Sequence, residues 1–243
     1  MTATIDIAAV DSFAYTYDAN KNKTAETRSG VMQPYGYTAT YDDEDRLATW
    51  TRGDSNLTQS WNLSLVGNWS QFTENGATES RTHDAAHQLV AIDTSTLAHD
   101  ARGNLTRNVL GCQYTWAFGN KLASATVPSG APGTEGTHTY SYDALGRRVG
   151  GPLGGSHSAA VYMHNGHQAI CEYEAGVPSA TARQKSVFGS FIDEPVIVDD
   201  SQGIRYYHSD GLYSTAVLTN ATGQPTERWS RRAKGASHQR WRV

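Results

Sequence analysis

Along most of this chain, aromatic residues fall two apart rather than three or four. Tyr15 and Tyr17 are so spaced, as are Tyr35, Tyr37, Ala39 and Tyr41, then Tyr114, Trp116 and Phe118, then Tyr140 and Tyr142. In an extended strand, residues i and i+2 share a face. The spacing therefore predicts short strands that each present rings to one side, where neighbouring strands stack them into a ladder. No segment sustains the apolar spacing and caps of an amphipathic helix.

The strand ends carry a second pattern. An aromatic residue or His followed by Asp recurs, with a polar residue four positions after the Asp and often an apolar one at five. Tyr17-Asp18 leads to Asn22, Tyr41-Asp42 to Arg46 and Leu47, and His83-Asp84 to Gln88 and Leu89. His99-Asp100 leads to Asn104 and Leu105, and Tyr142-Asp143 to Arg147. Trp116-Ala117 is a degenerate copy, with Lys121 and Leu122 in register. The units recur at intervals of about twenty residues, the wide gap between Asp42 and Asp84 counting as two.

Asp100 with Gly103, and Asp143 with Gly146, place Asp at the first and Gly at the fourth position of a type I turn. The carboxylate accepts backbone N–H groups there, and Gly tolerates the left-handed conformation that restarts the strand. Asp200 with Gly203 and Asn220 with Gly223 repeat the arrangement, and Asn165-Gly166 reads as a two-residue hairpin turn. Gly/Pro-rich loops cover Val127 to Gly136 and Gly150 to Ser156. The predicted fold is all-β: an antiparallel β-meander of stacked repeats forming a curved or spiralling sheet, a partial β-shell. A change of repeat character near residues 150–157 divides it into repeat strands over 1–149, a second β region over 150–229 and a basic, disordered tail over 230–243.

Composition agrees with strands and turns. The chain has 13 Tyr, 6 Trp and 23 Gly against 3 Met in 243 residues, and aromatics favour strands as Gly favours turns. A formal net charge of −4 gives no electrostatic reason to seek nucleic acid or anionic lipid. The exception is the stretch from Arg228 to Val243, with Arg231, Arg232, Lys234, Arg240 and Arg242, read as a solvated terminus. Cys112 and Cys171 make no disulfide framework. No apolar run reaches membrane-span length, and the first residues lack the features of a signal peptide.

Candidate chemistry is sparse. The carboxylate pairs at Asp42–Asp45, Asp193-Glu194 and Asp199-Asp200 sit at turns, where nothing fixes the separation a glycosidase needs. Asp18 to Asn22 imitates an EF-hand opening, but Lys23 stands where Gly is required and Ser29 where Glu is required. His83 and His87, and His164 and His167, have no helix to bring them to one metal. Gly154 to Ser158 misses the GxSxG elbow, and no phosphate loop occurs. No catalytic residue and no cofactor are therefore expected. Trp50, Trp61 and Trp69 are candidate carbohydrate contacts if their rings are exposed, since indoles stack on sugars.

These units resemble the YD-repeat, or Rhs, family. HDARGNLTRN (His99–Asn108) and YSYDALGRRVG (Tyr140–Gly150) are similar to its standard repeats. HNGHQAICEYEAG (His164–Gly176), FGSFIDEPVIVDD (Phe188–Asp200) and YYHSDGLYSTAVLTNATGQPTERW (Tyr206–Trp229) resemble its core region, in order. The resemblance implies a large exported or surface-attached protein whose repeats coil into a hollow shell, with a self-cleavage site beside a DPxG-like motif and a C-terminal toxin in toxin-delivering members. Here the family would continue with another repeat after Trp229. The chain instead reads SRRAKGASHQRWRV, and no DPxG occurs. The expectation is a non-enzymatic structural segment of a secreted or cell-surface shell, without cleavage site or toxin. Its partner would be the rest of a longer repeat chain or a self-associating copy. The alternative is an adhesion module binding carbohydrate or another cell-surface partner.

Overall fold

The structure is a computed structural model and describes residues 12–152, 159–176, 181–190, 194–210, 213–230 and 239–242. The fold is antiparallel β, in three sheets whose strand order is the chain order. The first holds β1 (Phe13–Tyr17), β2 (Lys23–Arg28), β3 (Tyr37–Tyr41), β4 (Leu47–Arg52), β5 (Thr58–Leu63), β6 (Trp69–Glu74), β7 (Ala77–His83), β8 (Leu89–Ile92) and β9 (Ser95–Thr96). The second holds β10 (Ala98–His99), β11 (Leu105–Arg107), β12 (Gln113–Ala117), β13 (Lys121–Val127) and β14 (Gly136–Thr139). The third runs from β15 (Ser141–Tyr142), β16 (Arg148–Pro152), β17 (Ala159–Asn165) and β18 (Gln168–Glu174) to β19 (Gln184–Phe188) and β20 (Pro195–Asp200). It continues through β21 (Gly203–Ser209), β22 (Thr215–Asn220) and β23 (Pro225–Ser230) to β24 (Gln239–Arg242). Helical structure among the described residues is confined to two short 3-10 turns, Gly30–Tyr35 and Phe118–Asn120.

Two of the predicted strand residues fall in those turns. Tyr35 follows Pro34, which has no N–H for a ladder, so the strand begins only at Tyr37. Phe118 is 94% exposed and joins no ladder. Part of the loop expected over 150–156 lies outside the described residues, as do residues 231–238 of the basic tail. Gln239–Arg242 form a strand that pairs antiparallel with β23.

The chain divides into two compact units, Met1–Glu79 with Tyr207–Val243, and Ser80–Tyr206. The boundaries fall inside β7 and β21. In the first unit, residues of β3 to β6, with Leu57 just before β5, meet in a core of Ala39, Trp50, Leu57 and Trp61, flanked by Tyr37, Tyr41, Leu47, Leu63, Trp69 and Phe72. Ala39 stands directly across from Trp50; its small side chain leaves room for the indole, whose ring centre lies 5.5 Å from that of Tyr37. Trp61 faces Phe72 across the β5–β6 ladder, ring centres 5.7 Å apart. On strands of this kind the opposite side is hydroxyl-rich, with Thr16 bonded to Thr24 and Thr40 to Thr49.

The first unit also buries charge. The Glu26 carboxylate takes Lys23 Nζ at 3.0 Å and Arg28 Nε at 2.8 Å. Arg28 Nη1 then donates to the Trp229 carbonyl at 2.9 Å, tying β2 to β23. The pairing satisfies ions that would be costly to bury alone. In the second unit the fully buried hydrophobic side chains among the described residues are small: Cys112, Ala125, Ala160 and Val198. Cys112 and Cys171 are both free thiols.

Candidate functional site

The feature that recurs in this molecule is a turn. At Asp100, the backbone N–H of Gly103 donates to the Asp100 carbonyl at 3.0 Å, and the Asp100 N–H donates to the Asn104 carbonyl at 2.9 Å. The carboxylate oxygen Oδ1 accepts the N–H groups of Arg102 and Asn104, each at 2.9 Å. Gly103 sits at φ +84°. This is a three-residue hairpin loop: a type I turn closed by one left-handed residue. The Asp side chain satisfies the two N–H groups that point into the loop.

Asp143 repeats it, with Oδ1 taking the N–H groups of Leu145 and Arg147 at 2.9 Å and Gly146 at φ +76°. At Asp42 the donors are Glu44 and Arg46, at Asp84 they are Ala86 and Gln88, and at Asp18 the donor is Asn22. The left-handed position in these three turns is not Gly: Lys21, Asp45 and His87 hold φ of +68°, +59° and +63°. Three further turns of the same form went unread in the sequence, at Ser64, Asn108 and Asp210. The first lies inside the wide Asp42–Asp84 interval. Ser64 with Gly67, and Asn108 with Gly111, carry the signal that identified Asn220 with Gly223, a side-chain oxygen three residues before Gly. Asp210 has Tyr213 in the Gly place, at φ +58°, and so lacked it.

Two predicted turns differ in detail. Asp200 pairs directly with Gly203, so only Ser201 and Gln202 form the loop. The residues of the Asn165 hairpin turn are Gly166 and His167, one place later than expected, because Asn165 itself pairs with Gln168.

The turns at Asp18, Asp42, Asp84, Asp100 and Asp143 are each followed by a register shift at a fixed place. Tyr17 pairs with Lys23 but Thr16 with Ala25, Tyr41 with Leu47 but Thr40 with Thr49, and His83 with Leu89 but Thr82 with Ala91. His99 and Tyr142 behave likewise, as does Trp116 of the degenerate copy. In each hairpin the ring-bearing residue before the turn therefore pairs with the fifth residue after the Asp position, and the sixth bulges out.

The bulge explains why a ring with a donor belongs in that slot. The ladder between β2 and β3 ends at Ala25 opposite Thr38, leaving the Lys23 carbonyl beyond it. The Tyr41 hydroxyl donates to that carbonyl at 3.0 Å. The β11–β12 ladder is Arg107 opposite Gln113, and Trp116 Nε1 donates to the Leu105 carbonyl at 2.8 Å. The β13–β14 ladder ends at Ser124, and the Tyr142 hydroxyl donates to Leu122 at 3.0 Å. The β16–β17 ladder ends at Gly150, and His164 Nε2 donates to Arg148 at 2.8 Å. In all four places the strands separate two residues short of the turn, and the ring bridges the gap to a carbonyl of the preceding hairpin. His83 and His99 occupy the slot without making this bond among the described residues.

The polar residue four places after the Asp makes a second link. Asn22 Nδ2 bonds its own Asp18 at 3.1 Å and the next turn's Asp45 at 2.6 Å. Arg46 pairs with Asp42 at 2.7 Å and reaches the Ser64 carbonyl at 2.9 Å. Asn104 bridges Asp100 to Asn120, and Arg147 bridges Asp143 to the Gly166 carbonyl at 2.7 Å. Sequence reading found this residue's place but not its purpose.

These contacts set the electrostatics. The Asn104 side-chain amide and backbone N–H hold the Asp100 carboxyl below its usual range. The Arg147 backbone N–H and guanidinium do the same for Asp143. At Asp42, lost solvation pushes the carboxyl up, but the Arg46 N–H and side chain outweigh it and the net shift is downward. A carboxylate so held is a poor general acid near neutral pH. Glu194 lies in the described part of the predicted pair, Asp193 outside it, and Asp199 pairs with Lys185 at 3.3 Å. Residues 153–158, which include the whole Gly154 to Ser158 stretch, lie outside the described residues. Among the described residues, no group of three or more His, Cys, Asp or Glu side chains could hold a metal ion, and no helix is long and apolar enough to cross a membrane.

The tryptophans divide. Trp50 is 3% exposed and Trp61 is 7% exposed, both within the first unit's core. Trp69 is half-buried. With Trp61, Tyr37 and Tyr41 it lines an open cavity of about 580 Å³ in the first unit, with Lys23, Asp45 and Arg46 as its charged lining.

No family model and no curated protein match this chain. Solved structures do. Over 93% of its length the chain is similar to a crystal structure of TcdB2-TccC3 without the hypervariable C-terminal region, with a TM-score of 0.67 and 16% identity. It is also similar over 89% of its length to the Photorhabdus luminescens Tc holotoxin pore, with a TM-score of 0.38 and 14% identity. The chain spans 13% of the first and 15% of the second. The likeness to the first is one of fold: the all-β arrangement of successive hairpins is shared.

Proposed function

We propose that this chain is a non-enzymatic structural segment of a YD-repeat, Rhs-type shell protein, exported or displayed at the cell surface. The observation that carries the reading is the clamp. At Tyr41, Trp116, Tyr142 and His164 a ring of one hairpin closes the gap left by the bulge of the hairpin before it, so those repeats are completed by a neighbour. Tyr17, Asp18, Tyr41, Asp42, His83, Asp84, His99, Asp100, Gly103, Tyr142, Asp143 and Gly146 are, in this reading, the structural repeat positions. The shared fold with TcdB2-TccC3 supports it.

Hydrogen exchange on Tyr142→Phe tests it. The ring stays and the hydroxyl goes, so the change isolates one hydrogen bond of about 1 kcal/mol. Faster exchange confined to the hairpins around β13, β15 and β16, with a lower melting temperature, is the expected result. Unchanged exchange and melting would remove the clamp and the reading with it.

A second reading, an adhesion module for carbohydrate or another cell-surface partner, is favoured by the aromatic cavity. Of the candidate contacts, Trp69 is the one to test, because truncating the buried Trp50 or Trp61 would disturb the core itself. Binding to defined glycans on an array, lost on Trp69→Ala, would favour adhesion. A blank array would favour the shell.

A further inference from the structure

The chain holds two Asn-Gly pairs, Asn75-Gly76 and Asn165-Gly166, each at a hairpin corner. This dipeptide is open to attack by its own backbone. The nitrogen of the residue after Asn can reach the side-chain amide carbon, and Gly leaves that approach clear because it has no Cβ. Both asparagines are exposed, so access to water does not separate them. Their hydrogen bonds do. Asn75 Oδ1 accepts the Thr58 N–H at 2.8 Å, and Asn75 Nδ2 donates to the Asn56 carbonyl at 3.3 Å. Asn165 ends the β17–β18 ladder opposite Gln168, and among the described residues its side-chain amide has no partner. The Gly166 N–H also makes no hydrogen bond there. The Gly166 carbonyl accepts Arg147 Nη1 at 2.7 Å, while Arg147 Nε pairs with Asp143 at 2.6 Å.

We propose that Asn165-Gly166 is a self-modification site, where slow deamidation undoes the link between the Asp143 turn and the β17–β18 hairpin. The Gly166 nitrogen bonds to Asn165 Cγ and gives its proton to water. The Cγ–Nδ2 bond breaks and ammonia leaves, closing a five-membered succinimide. Water then adds to either ring carbonyl, and the ring opens to Asp or isoaspartate. Nothing is oxidised or reduced. Isoaspartate carries the chain through the side-chain carbons, which lengthens the backbone by one methylene just before Gly166. That displaces the carbonyl that Arg147 holds. It also frees a carboxylate one residue away, which competes for the same guanidinium. Asn75 is spared, because both of its side-chain bonds must break before its amide carbon can turn toward Gly76.

The test incubates the full chain at mildly alkaline pH and follows the peptides holding Asn75 and Asn165 by mass spectrometry, with an isoaspartyl methyltransferase marking isoaspartate. In the folded chain Asn165 should convert on the order of tenfold faster than Asn75, since two neutral hydrogen bonds protect the latter. In chain unfolded by denaturant the two rates should converge. Equal rates in the folded chain, an order that persists after unfolding, or an unconverted Asn165 overturns the site. The converted chain should show faster hydrogen exchange at the corner between β17 and β18, and unchanged exchange there overturns the loss of the link. An Asn165→Gln chain, whose ring would need six members, should keep its original exchange through the same incubation. A rise in that variant would place the loosening elsewhere and overturn the assignment to Asn165.

Discussion

The two compact units use one kind of turn but differ in what lies beneath it. The first packs Trp50 and Trp61 among flanking rings and buries the Glu26–Arg28 pair. The second has nothing larger than Val198 among its fully buried hydrophobic side chains in the described residues. Its hairpins at Asp100 and Asp143 are nonetheless formed in the same way, bond for bond, as the hairpin at Asp42. The turn and its bulge thus do not need a large core. They are made of short-range hydrogen bonds, and the ring clamp adds one bond at each of the four junctions where it forms. Where the core is thin, those bonds carry a larger share of the stability.

The largest test of this difference is truncation inside each unit. Trp50→Ala should cost about 3–5 kcal/mol, with hydrogen exchange rising through β3 to β6. Val198→Ala, at the largest buried hydrophobic side chain of the second unit among the described residues, should cost about 2 kcal/mol. Equal costs measured by denaturant unfolding would mean that the second unit is packed as firmly as the first.

Next come the left-handed turn positions. Gly146→Val should destabilise by about 1–3 kcal/mol, because a β-branched residue strains at positive φ. The atoms nearest the new Cβ are Lys121 Cε and Nζ at 3.1 Å, the far end of a side chain that can move, so the backbone sets the cost. Lys21→Gly runs the opposite way in the first unit: releasing a strained Lys should stabilise by about 0.5 kcal/mol after the entropy of Gly is set against it. An unchanged melting temperature for Gly146→Val would count against the turn.

The smallest effect for each residue is electrostatic, since these turns are exposed and screened. Asp100 and Asp143 have carboxyls lowered from an ordinary value of 3.8. A lowered native value stabilises the fold above the unfolded value, and that contribution is lost as pH falls through the native one. Stability should therefore decline below about pH 4. Exchange should rise first at the Asp100 and Asp143 hairpins, where little core compensates. Acid loss that begins instead in β3 to β6 would reverse the argument.

Much of this was legible in the chain. The two-residue alternation gave strands, and an Asp or Asn three places before Gly gave turns, because both depend on contacts within about five residues along the backbone. Local spacing fixes which N–H a carboxylate can reach. It does not fix what stands across the sheet. That Trp50 is hidden behind Ala39, that Tyr142 caps the Leu122 carbonyl, and that Arg28 meets Trp229 depend on which strand lies opposite and where its register shifts. Lys21, His87 and Tyr213 show the same limit within a turn: their neighbours hold a left-handed conformation that their own side chains disfavour. The chain alone thus decided the hairpins and their corners, while assembly of the strands decided burial, clamping and strain, because those energies come from partners distant in sequence.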